Sequence, residues 1–236
     1  MIPWSLVATT PVPGAAEELR LMRRGAEFSI RLGSNELMNS RLGGSEAALA
    51  TLACGRIKAR EHAEILIGGL GMGFTLRAAL AVMGAQARII VAELVPAVVA
   101  WARGPMADVF GDSLTDPRVR IHQADVGSLI RRARSAFDAI LLDVDNGPDG
   151  LTRTSNNGLY GAAGLSAAHA ALRPGGVLAV WSAGPDAEFA RRLRQAGFAL
   201  EEARVRANGA RGGARHVVWI ATRTDRARQA SRQRTG

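Results

Sequence analysis

The sequence predicts an α/β protein with a Rossmann-like, doubly wound, mostly parallel seven-stranded sheet, a C-terminal antiparallel hairpin and a small N-terminal β extension. Three observations predict this class. Five short apolar runs are each followed by a helical stretch, which is typical of parallel strands covered on both faces. A glycine-rich turn follows the first of these runs, as in sheets that bind nucleotides. The last two apolar runs have no helix between them, so we expect them to pair antiparallel.

Four segments follow one another along the predicted chain. They are an irregular N-terminal segment (1–18), a small β segment with a helix (19–60), an α/β domain (61–224) and a basic, disordered tail (225–236). The tail is rich in arginine and has no apolar periodicity, which is why we expect no packed structure there.

The β extension is predicted from the stretch ELRLMRRGAEFSIRLGSNELM, which alternates apolar and polar residues. A turn signal at Gly33 and Ser34 divides it, so it predicts a hairpin or a meander. The next stretch, SEAALATLACGRI, has a helical pattern, and Ser45 is predicted to be its N-cap.

The central elements then alternate in order. The predicted parallel strands are ILIGG, ARIIVAEL, VRIHQAD, FDAILLDVD and GGVLAVWSA, and the predicted helices are FTLRAALAVMG, PAVVAWARG, VGSLIRRAR, GLSAAHAALRP and DAEFARRLRQAG. The closing hairpin consists of FALEEARVRA and ARHVVWIATR, which are joined by NGARGG.

Composition limits the classes of function. The chain has 236 residues, of which 47% are hydrophobic, and this is enough for one sizeable core. Its single cysteine, Cys54, excludes a disulfide within the chain and fits a reducing compartment. No stretch resembles a signal peptide or a membrane-spanning helix. We therefore expect a cytoplasmic protein without membrane contact.

The net charge of +9 raises the question of nucleic-acid binding. Lys58 is the only lysine, several arginines lie in the tail, and aromatic residues make up only 5% of the chain. Stacking surfaces for bases are therefore scarce. Nucleic acid is not expected to be the main partner; a small-molecule substrate is.

Glycines mark the first βα turn, in the stretch ILIGGLGMGFTLRAAL at 65–80. Glycine at such a turn permits a tight bend and lets the backbone approach a ligand closely. Glu93 ends the second strand, where a carboxylate can accept hydrogen bonds from both ribose hydroxyls. The alternative is an ordinary βα turn with glycines for packing and a solvated Glu93.

Two further acids end the next two strands. Asp125 closes the third strand and could accept a hydrogen bond from an adenine amino group, and Asp143 closes the fourth strand, nearest the reacting end of a ligand. An acid over a buried sheet is costly unless it has a partner, so these acids point to one crevice. Asp145 and Asp149 follow, with turn residues as their alternative interpretation.

These residues resemble the class I S-adenosylmethionine-dependent methyltransferase fold and, within it, the spermidine synthase (aminopropyltransferase) family. The resemblance covers roughly residues 19–222 and implies that the domain 61–224 is a nucleoside-binding domain of the S-adenosylmethionine type. Its motifs are EFSIRLGSNELMNSR, GGLGMGFTLR, VAELVPAVV, DPRVRIHQADV, FDAILLDVDNGP and LRPGGVLAVW. Of these, DPRV before HQADV is the fairly specific one, whereas the glycine loop and LRPGG occur in very many methyltransferases.

The resemblance implies roles for named residues. The implied ligand-binding residues are Gly69, Gly71, Met72, Gly73, Glu93, Leu94, Asp125, Val126 and Asp143. Asp143 matches the first acid of the family's D-x-x-D motif, which binds and helps deprotonate the attacking amine. Asp143 and Asp145 are the implied catalytic residues. No metal is expected, and the resemblance also implies a homodimer formed through the N-terminal β segment.

The sequence departs from the family at several of these positions. Met72 stands where the family has an aspartate that holds the aminopropyl ammonium of decarboxylated S-adenosylmethionine. The acidic motif after the fourth strand is one residue shorter. The family's Tyr-His-Glu reads Gly44, Ser45 and Glu46, and a glutamine expected near Met38 is missing.

Met72 decides the expected reaction. A buried ammonium without an acid is strongly unfavourable, and methionine cannot balance its charge. The sequence therefore predicts methyl transfer from ordinary S-adenosylmethionine to a small N or O nucleophile that Asp143 orients or deprotonates. The alternatives are a divergent aminopropyltransferase of polyamine synthesis that uses decarboxylated S-adenosylmethionine, and a non-catalytic nucleoside-binding protein. Arg77 is a candidate for the carboxylate of the donor, or else a solvated helix residue.

Overall fold

The computed structural model describes residues 2–12, 17–144, 157–209 and 212–224. Asp145, Asp149 and the tail 225–236 lie outside the described residues.

The described chain forms two sheets. The small N-terminal sheet is antiparallel, in the order β1 (Ser5–Pro11), β2 (Glu18–Arg24), β3 (Glu27–Leu32) and β4 (Asn35–Asn39). The large sheet contains β5 (Glu64–Gly68), β6 (Arg88–Glu93), β7 (Val119–Gln123), β8 (Phe137–Leu142), β9 (Leu172–Ser182), β10 (Phe198–Arg206) and β11 (Arg215–Arg223). The helices are α1 (Gly44–Ile57), α2 (Phe74–Val82), α3 (Pro96–Arg103), α4 (Ala107–Phe110), α5 (Val126–Arg132), α6 (Asn157–Tyr160), α7 (Ala162–Ala171) and α8 (Ala187–Gln195), with a 3₁₀ turn at Gly111–Leu114.

The large sheet confirms the predicted fold class. Its strand order is β10-β11-β9-β8-β5-β6-β7; the five central strands from β9 to β7 are parallel, and β11 and β10 continue the sheet antiparallel. Chain order reverses between β5 and β8, which lie side by side. In doubly wound sheets this switch point is where the crevice for a ligand opens, at the carboxyl ends of the strands.

The N-terminal region differs from the prediction at two points. Strand β1 lies in the segment that was expected to be irregular, because it is held by pairing with β2 while Leu6 and Val7 stay exposed, so no clear apolar pattern marks it. Ser45 is not the N-cap of α1. Gly43 takes that position, and Ser45 lies buried inside the first turn.

Strand β8, in the middle of the large sheet, is apolar apart from one buried acid. All six residues of β8 are buried, and one of them is Asp138, which is only 2% exposed. Its carboxylate accepts hydrogen bonds from the guanidinium groups of Arg60 and Arg173 and from the backbone N–H of Glu64. These bonds satisfy the charge at the end of β8 that lies away from the switch point. No helix among the described residues combines the length and apolarity needed to cross a bilayer.

Candidate active site

Three left-handed glycines shape the loop between β5 and α2. Gly69, Gly71 and Gly73 have φ values of +87°, +50° and +72°, which other residues adopt only with strain. A Cβ on Gly69 would lie 2.7 Å from the carbonyl oxygen of Asp143, and one on Gly73 would lie 2.5 Å from the Phe110 ring. The glycines therefore allow a tight turn that packs directly against the end of β8.

Replacing Gly69 with alanine is expected to destabilise the protein by about 2–3 kcal/mol, because left-handed backbone strain adds to the clash with Asp143. Chemical denaturation measures this free energy of unfolding. Gly55→Ala is the matched control, since a Cβ at that exposed helical position meets nothing within 4 Å. This control should raise stability by about 0.5–1 kcal/mol. Equal effects of the two changes would contradict the strain at Gly69.

Glu93 ties the loop to the neighbouring strand. It is 8% exposed; its Oε2 accepts the backbone N–H of Leu70 at 3.0 Å, and its Oε1 accepts that of Val95 at 2.8 Å. The alternative of a solvated Glu93 is therefore wrong. Both carboxylate oxygens thus hold the backbone of the turns that follow β5 and β6.

Asp125 caps α5 and lies beside Glu93 at the same edge. Its carboxylate accepts the backbone N–H groups of Gly127 and Ser128, both at 3.0 Å, and an N–H of Arg131 at 3.2 Å. Burial by itself would raise the pKa of Asp125, but the hydrogen bonds together outweigh it and hold the pKa below its usual value. The side chain is therefore ionised at neutral pH.

Two adjoining pockets open at the switch point. The larger pocket is lined by Gly69, Glu93, Leu94, Asp125, Val126 and Asp143, and by Val12, Leu19, Ile30 and Leu32 from the N-terminal region. The smaller pocket is lined by Glu46, Met72, Gly73, Phe74, Asp143 and Trp181. Leu37, Met38, Gly71 and Asp143 line both pockets. The site residues expected from the sequence, Asp145 apart, thus lie around one continuous crevice, which the N-terminal sheet helps to wall.

Asp143 is placed where the two pockets meet. Its backbone N–H donates to the carbonyl of Gly68 at 3.1 Å, and its Oδ2 accepts the hydroxyl of Thr75 at 2.7 Å. Burial and then the charge of Glu46 raise the pKa of Asp143 to about 7, against the opposing effect of the Thr75 hydrogen bond. This carboxyl can therefore both accept and release a proton near neutral pH.

Glu46 brings a second acid to the smaller pocket from the first turn of α1. This turn packs on the glycine loop: a Cβ on Gly43 would overlap the Phe74 ring, and the Thr75 hydroxyl lies 3.3 Å from the carbonyl oxygen of Glu46. Sequence reasoning noticed Glu46 as the residue of the family's Tyr-His-Glu that this chain keeps. It missed Thr75 altogether, whose place directly after the glycine loop was the available signal.

Arg77 is not among the residues that line the two pockets. It is half-buried, and its Nη1 donates to the carbonyl oxygens of Met72 at 3.1 Å and Val109 at 2.7 Å. The guanidinium also lies over the Phe74 ring, 4.8 Å from its centroid, and burial lowers its pKa. Arg77 is therefore not a solvated residue: it braces the loop through two carbonyls. Met72 is 3% exposed and packs into the core. Its thioether is uncharged, so it brings no charge to the smaller pocket.

Comparison with known proteins finds polyamine aminopropyltransferases among similar sequences and spermidine synthases among similar structures. No family model matches the chain. It is 30% identical over 149 residues to polyamine aminopropyltransferase 1 of Streptomyces coelicolor, covering 60% of this chain and 27% of the relative. It is 32% identical over 146 residues to polyamine aminopropyltransferase of Mycobacterium tuberculosis, covering 58% and 27%. The chain thus spans about a quarter of the length of these relatives.

Solved structures agree on the fold. The crystal structure of spermidine synthase from Thermotoga maritima aligns with a TM-score of 0.69 at 17% identity, over 92% of this chain and 72% of that one. A spermidine synthase in complex with the transition-state analogue AdoDATO aligns with a TM-score of 0.68 at 17% identity, with the same coverage.

These findings overturn the expectation of methyl transfer. The curated relatives are aminopropyltransferases, and the similar folds are those of spermidine synthases. The physical reason for the error lies in the smaller pocket. The expectation rested on the charge lost at Met72, whereas Glu46 and Asp143 give that same pocket two carboxyl groups. A methionine at position 72 therefore does not leave the pocket without acids.

Proposed function

We propose that this chain, which is spermidine synthase-like in sequence and fold, is an aminopropyltransferase that takes decarboxylated S-adenosylmethionine as donor and a small amine as acceptor. The observation that carries the proposal is the position of Asp143. It lies between a pocket suited to a nucleoside and a pocket with a second acid, and its pKa is about 7.

The adenosine part of the donor would bind in the larger pocket. Glu93 would accept hydrogen bonds from the ribose hydroxyls and Asp125 one from the adenine amino group. Leu94 and Val126 would contact the nucleoside from the two strand ends, and the glycine loop would lie under it. This arrangement would direct the sulfonium toward Asp143, because Gly71 and Asp143 line both pockets.

The chemistry is a displacement at the carbon next to the sulfonium sulfur. The acceptor nitrogen forms a bond to the aminopropyl carbon that is attached to sulfur, and the bond between that carbon and sulfur breaks. Sulfur keeps the electron pair, so 5′-methylthioadenosine leaves. The proton that the acceptor nitrogen loses passes to Asp143, whose pKa suits a general base near neutral pH. The protein contributes mainly alignment and this base.

Glu46 would take over the charge that the family places at position 72. The aminopropyl group carries an ammonium, which needs an acid when it leaves water. Glu46 and Met72 line the same pocket, and the first turn of α1 packs on the loop that holds Met72. A carboxylate on α1 can therefore reach the space that an aspartate in the loop would otherwise serve.

Calorimetric titration with three ligands tests the donor. We expect decarboxylated S-adenosylmethionine to bind at least about tenfold more tightly than S-adenosylmethionine, because the carboxylate of the latter would face Glu46 and Asp143. Glu46→Gln should weaken the binding of decarboxylated S-adenosylmethionine by about tenfold. The affinity of this variant for 5′-methylthioadenosine, which lacks the ammonium, should stay within about twofold of the wild-type value.

Other outcomes would reject the proposal. Equal or tighter binding of S-adenosylmethionine would contradict the choice of donor. Binding of the donor without formation of 5′-methylthioadenosine from 1,4-diaminobutane or a shorter diamine would favour a non-catalytic nucleoside-binding protein. The homodimer and the cytoplasmic location expected from the sequence stay predictions, which sedimentation and cell fractionation can test.

A further inference from the structure

A partly buried chain of hydrogen bonds leads from the C-terminal hairpin to the smaller pocket. His216 on β11 has its Nδ1 atom 2.9 Å from the hydroxyl oxygen of Ser45. The hydroxyl of Ser45 donates to Oε2 of Glu46 at 2.7 Å. Ser45 is fully buried. Three residues from two distant parts of the sequence are thus linked in a line that ends on an acid of the pocket.

Donor and acceptor rules give this chain a direction. A serine hydroxyl has one hydrogen, and an ionised carboxylate can only accept, so that hydrogen belongs to the bond with Glu46. Ser45 must then accept from His216, which places the imidazole hydrogen on Nδ1. Burial lowers the pKa of His216, with the charge of Glu46 opposing it, which fits a neutral ring. His216 therefore donates, and Ser45 passes the interaction on to Glu46.

The same imidazole supports a second wall of the pocket. Its ring meets the indole of Trp181 edge to face, with centroids 4.7 Å apart, and Trp181 lines the smaller pocket. The start of α1 is also held to the hairpin, because the N–H of Gly44 donates to the carbonyl of Ala207 at 2.8 Å. The hairpin is thus linked to the pocket in three ways: by the hydrogen bonds through Ser45, by the ring contact with Trp181 and by a backbone hydrogen bond to the start of α1.

We propose that His216 is a positioning residue for the donor: through Ser45 it holds Glu46 in the orientation that meets the aminopropyl ammonium. The proposal rests on the function proposed above. His216 acts through another residue and does not touch the substrate. Sequence reasoning could not single it out, because 171 residues separate it from Ser45.

Three variants separate the N–H of His216 from its ring. His216→Phe keeps a ring against Trp181 but removes the donor, whereas His216→Asn keeps an N–H donor near the Nδ1 position and removes the ring. Ser45→Ala interrupts the chain itself. We expect His216→Phe and Ser45→Ala to bind decarboxylated S-adenosylmethionine about 3- to 10-fold more weakly than the wild type does, as for the loss of one hydrogen bond. Binding of 5′-methylthioadenosine should stay within about twofold, and His216→Asn should bind both ligands nearly as the wild type does.

Three results of the binding measurements would overturn the proposal. One is wild-type binding of decarboxylated S-adenosylmethionine by His216→Phe. Another is a loss in His216→Asn as large as that in His216→Phe, because the N–H donor that asparagine keeps would then not be what holds Glu46. The third is loss of 5′-methylthioadenosine binding in Ser45→Ala. Such a loss would show that the whole site is disrupted, rather than that Glu46 alone has changed its orientation.

Nitrogen-15 NMR of the imidazoles provides a readout that needs no donor. The wild type should show His216 as the neutral Nδ1–H form, assigned by the signal that disappears in His216→Asn, and Ser45→Ala should lose this preference. If the wild type does not bind decarboxylated S-adenosylmethionine, the proposed function fails. The NMR result then still decides whether His216 donates to Ser45, and an Nε2–H form would reject that.

Discussion

Asp143→Asn is expected to lower kcat for aminopropyl transfer by about 10²- to 10⁴-fold, because asparagine cannot accept the proton of the attacking amine. The asparagine is nearly the same size and can still accept the Thr75 hydroxyl, so the site should stay formed. Binding of 5′-methylthioadenosine, measured by calorimetry, should therefore change little. Asp108→Asn, at an exposed position outside both pockets, is the matched control and should keep full activity. Activity of Asp143→Asn close to that of the wild type would contradict a general base at this position.

The pH dependence of activity offers a second test of Asp143. With a pKa of about 7, the carboxyl gains its basic form as pH rises, so wild-type activity should rise through about pH 7. The charge of Glu46 contributes to this raised pKa. Glu46→Gln should therefore move the rise in activity to lower pH, and the profile of Asp143→Asn should lack it. A wild-type profile that is flat between pH 6 and 8 would contradict the assignment.

Asp143→Asn, which is expected to lose activity, is expected to gain stability. Between about pH 4 and pH 7 the folded protein holds a proton on Asp143 that the unfolded chain releases, so the contribution of this residue to stability falls as pH rises. The full penalty is present at pH 8 and corresponds to at most about 4 kcal/mol. We expect Asp143→Asn to be about 1–3 kcal/mol more stable than the wild type at pH 8 and nearly equal to it at pH 4. Urea denaturation at both pH values measures this, and a gain of equal size at both would argue against a charge effect.

Asp138→Ala is expected to destabilise the protein by about 3–5 kcal/mol, which is a large part of the stability of an ordinary domain. The carboxylate is 2% exposed and accepts from Arg60, from Arg173 and from the N–H of Glu64. Alanine leaves that N–H without its acceptor inside the protein and removes the charge that two guanidinium groups share. Chemical denaturation at pH 7 measures the loss. The double replacement of Arg60 and Arg173 should show a similar loss, because it leaves Asp138 buried without its ion pairs.

The control for Asp138 is an ion pair at the surface. Arg56 and Glu201 also make a two-bond pair, at 2.8 and 2.6 Å, but both side chains are about half exposed. Glu201→Gln should therefore cost less than about 1 kcal/mol. If Asp138→Ala cost no more than Glu201→Gln, burial would not be what makes the Asp138 cluster important.

Elements that depend on local chemistry could be predicted from the sequence. The apolar run of β8 is buried as expected, the glycines of the loop take the left-handed backbone that only glycine adopts easily, and the hairpin β10–β11 closes the sheet. Strand β1 escaped prediction because its apolar residues face outward and only pairing with β2 makes it a strand. Glu93 and Asp125 were found because parallel strands end at one edge of a sheet, which their positions in the sequence already imply.

The sequence by itself thus determined the fold class, the crevice at the switch point and the acids at the strand ends, since strand periodicity and glycine conformation are properties of neighbouring residues. The charge balance of the smaller pocket was decided only by the tertiary structure. Glu46, Asp143 and His216 come from α1, the end of β8 and β11, and nothing local to any of them shows that they meet. Electrostatic interaction and hydrogen bonding depend on distance in space, so the effect of Met72 could not be judged from the loop that contains it.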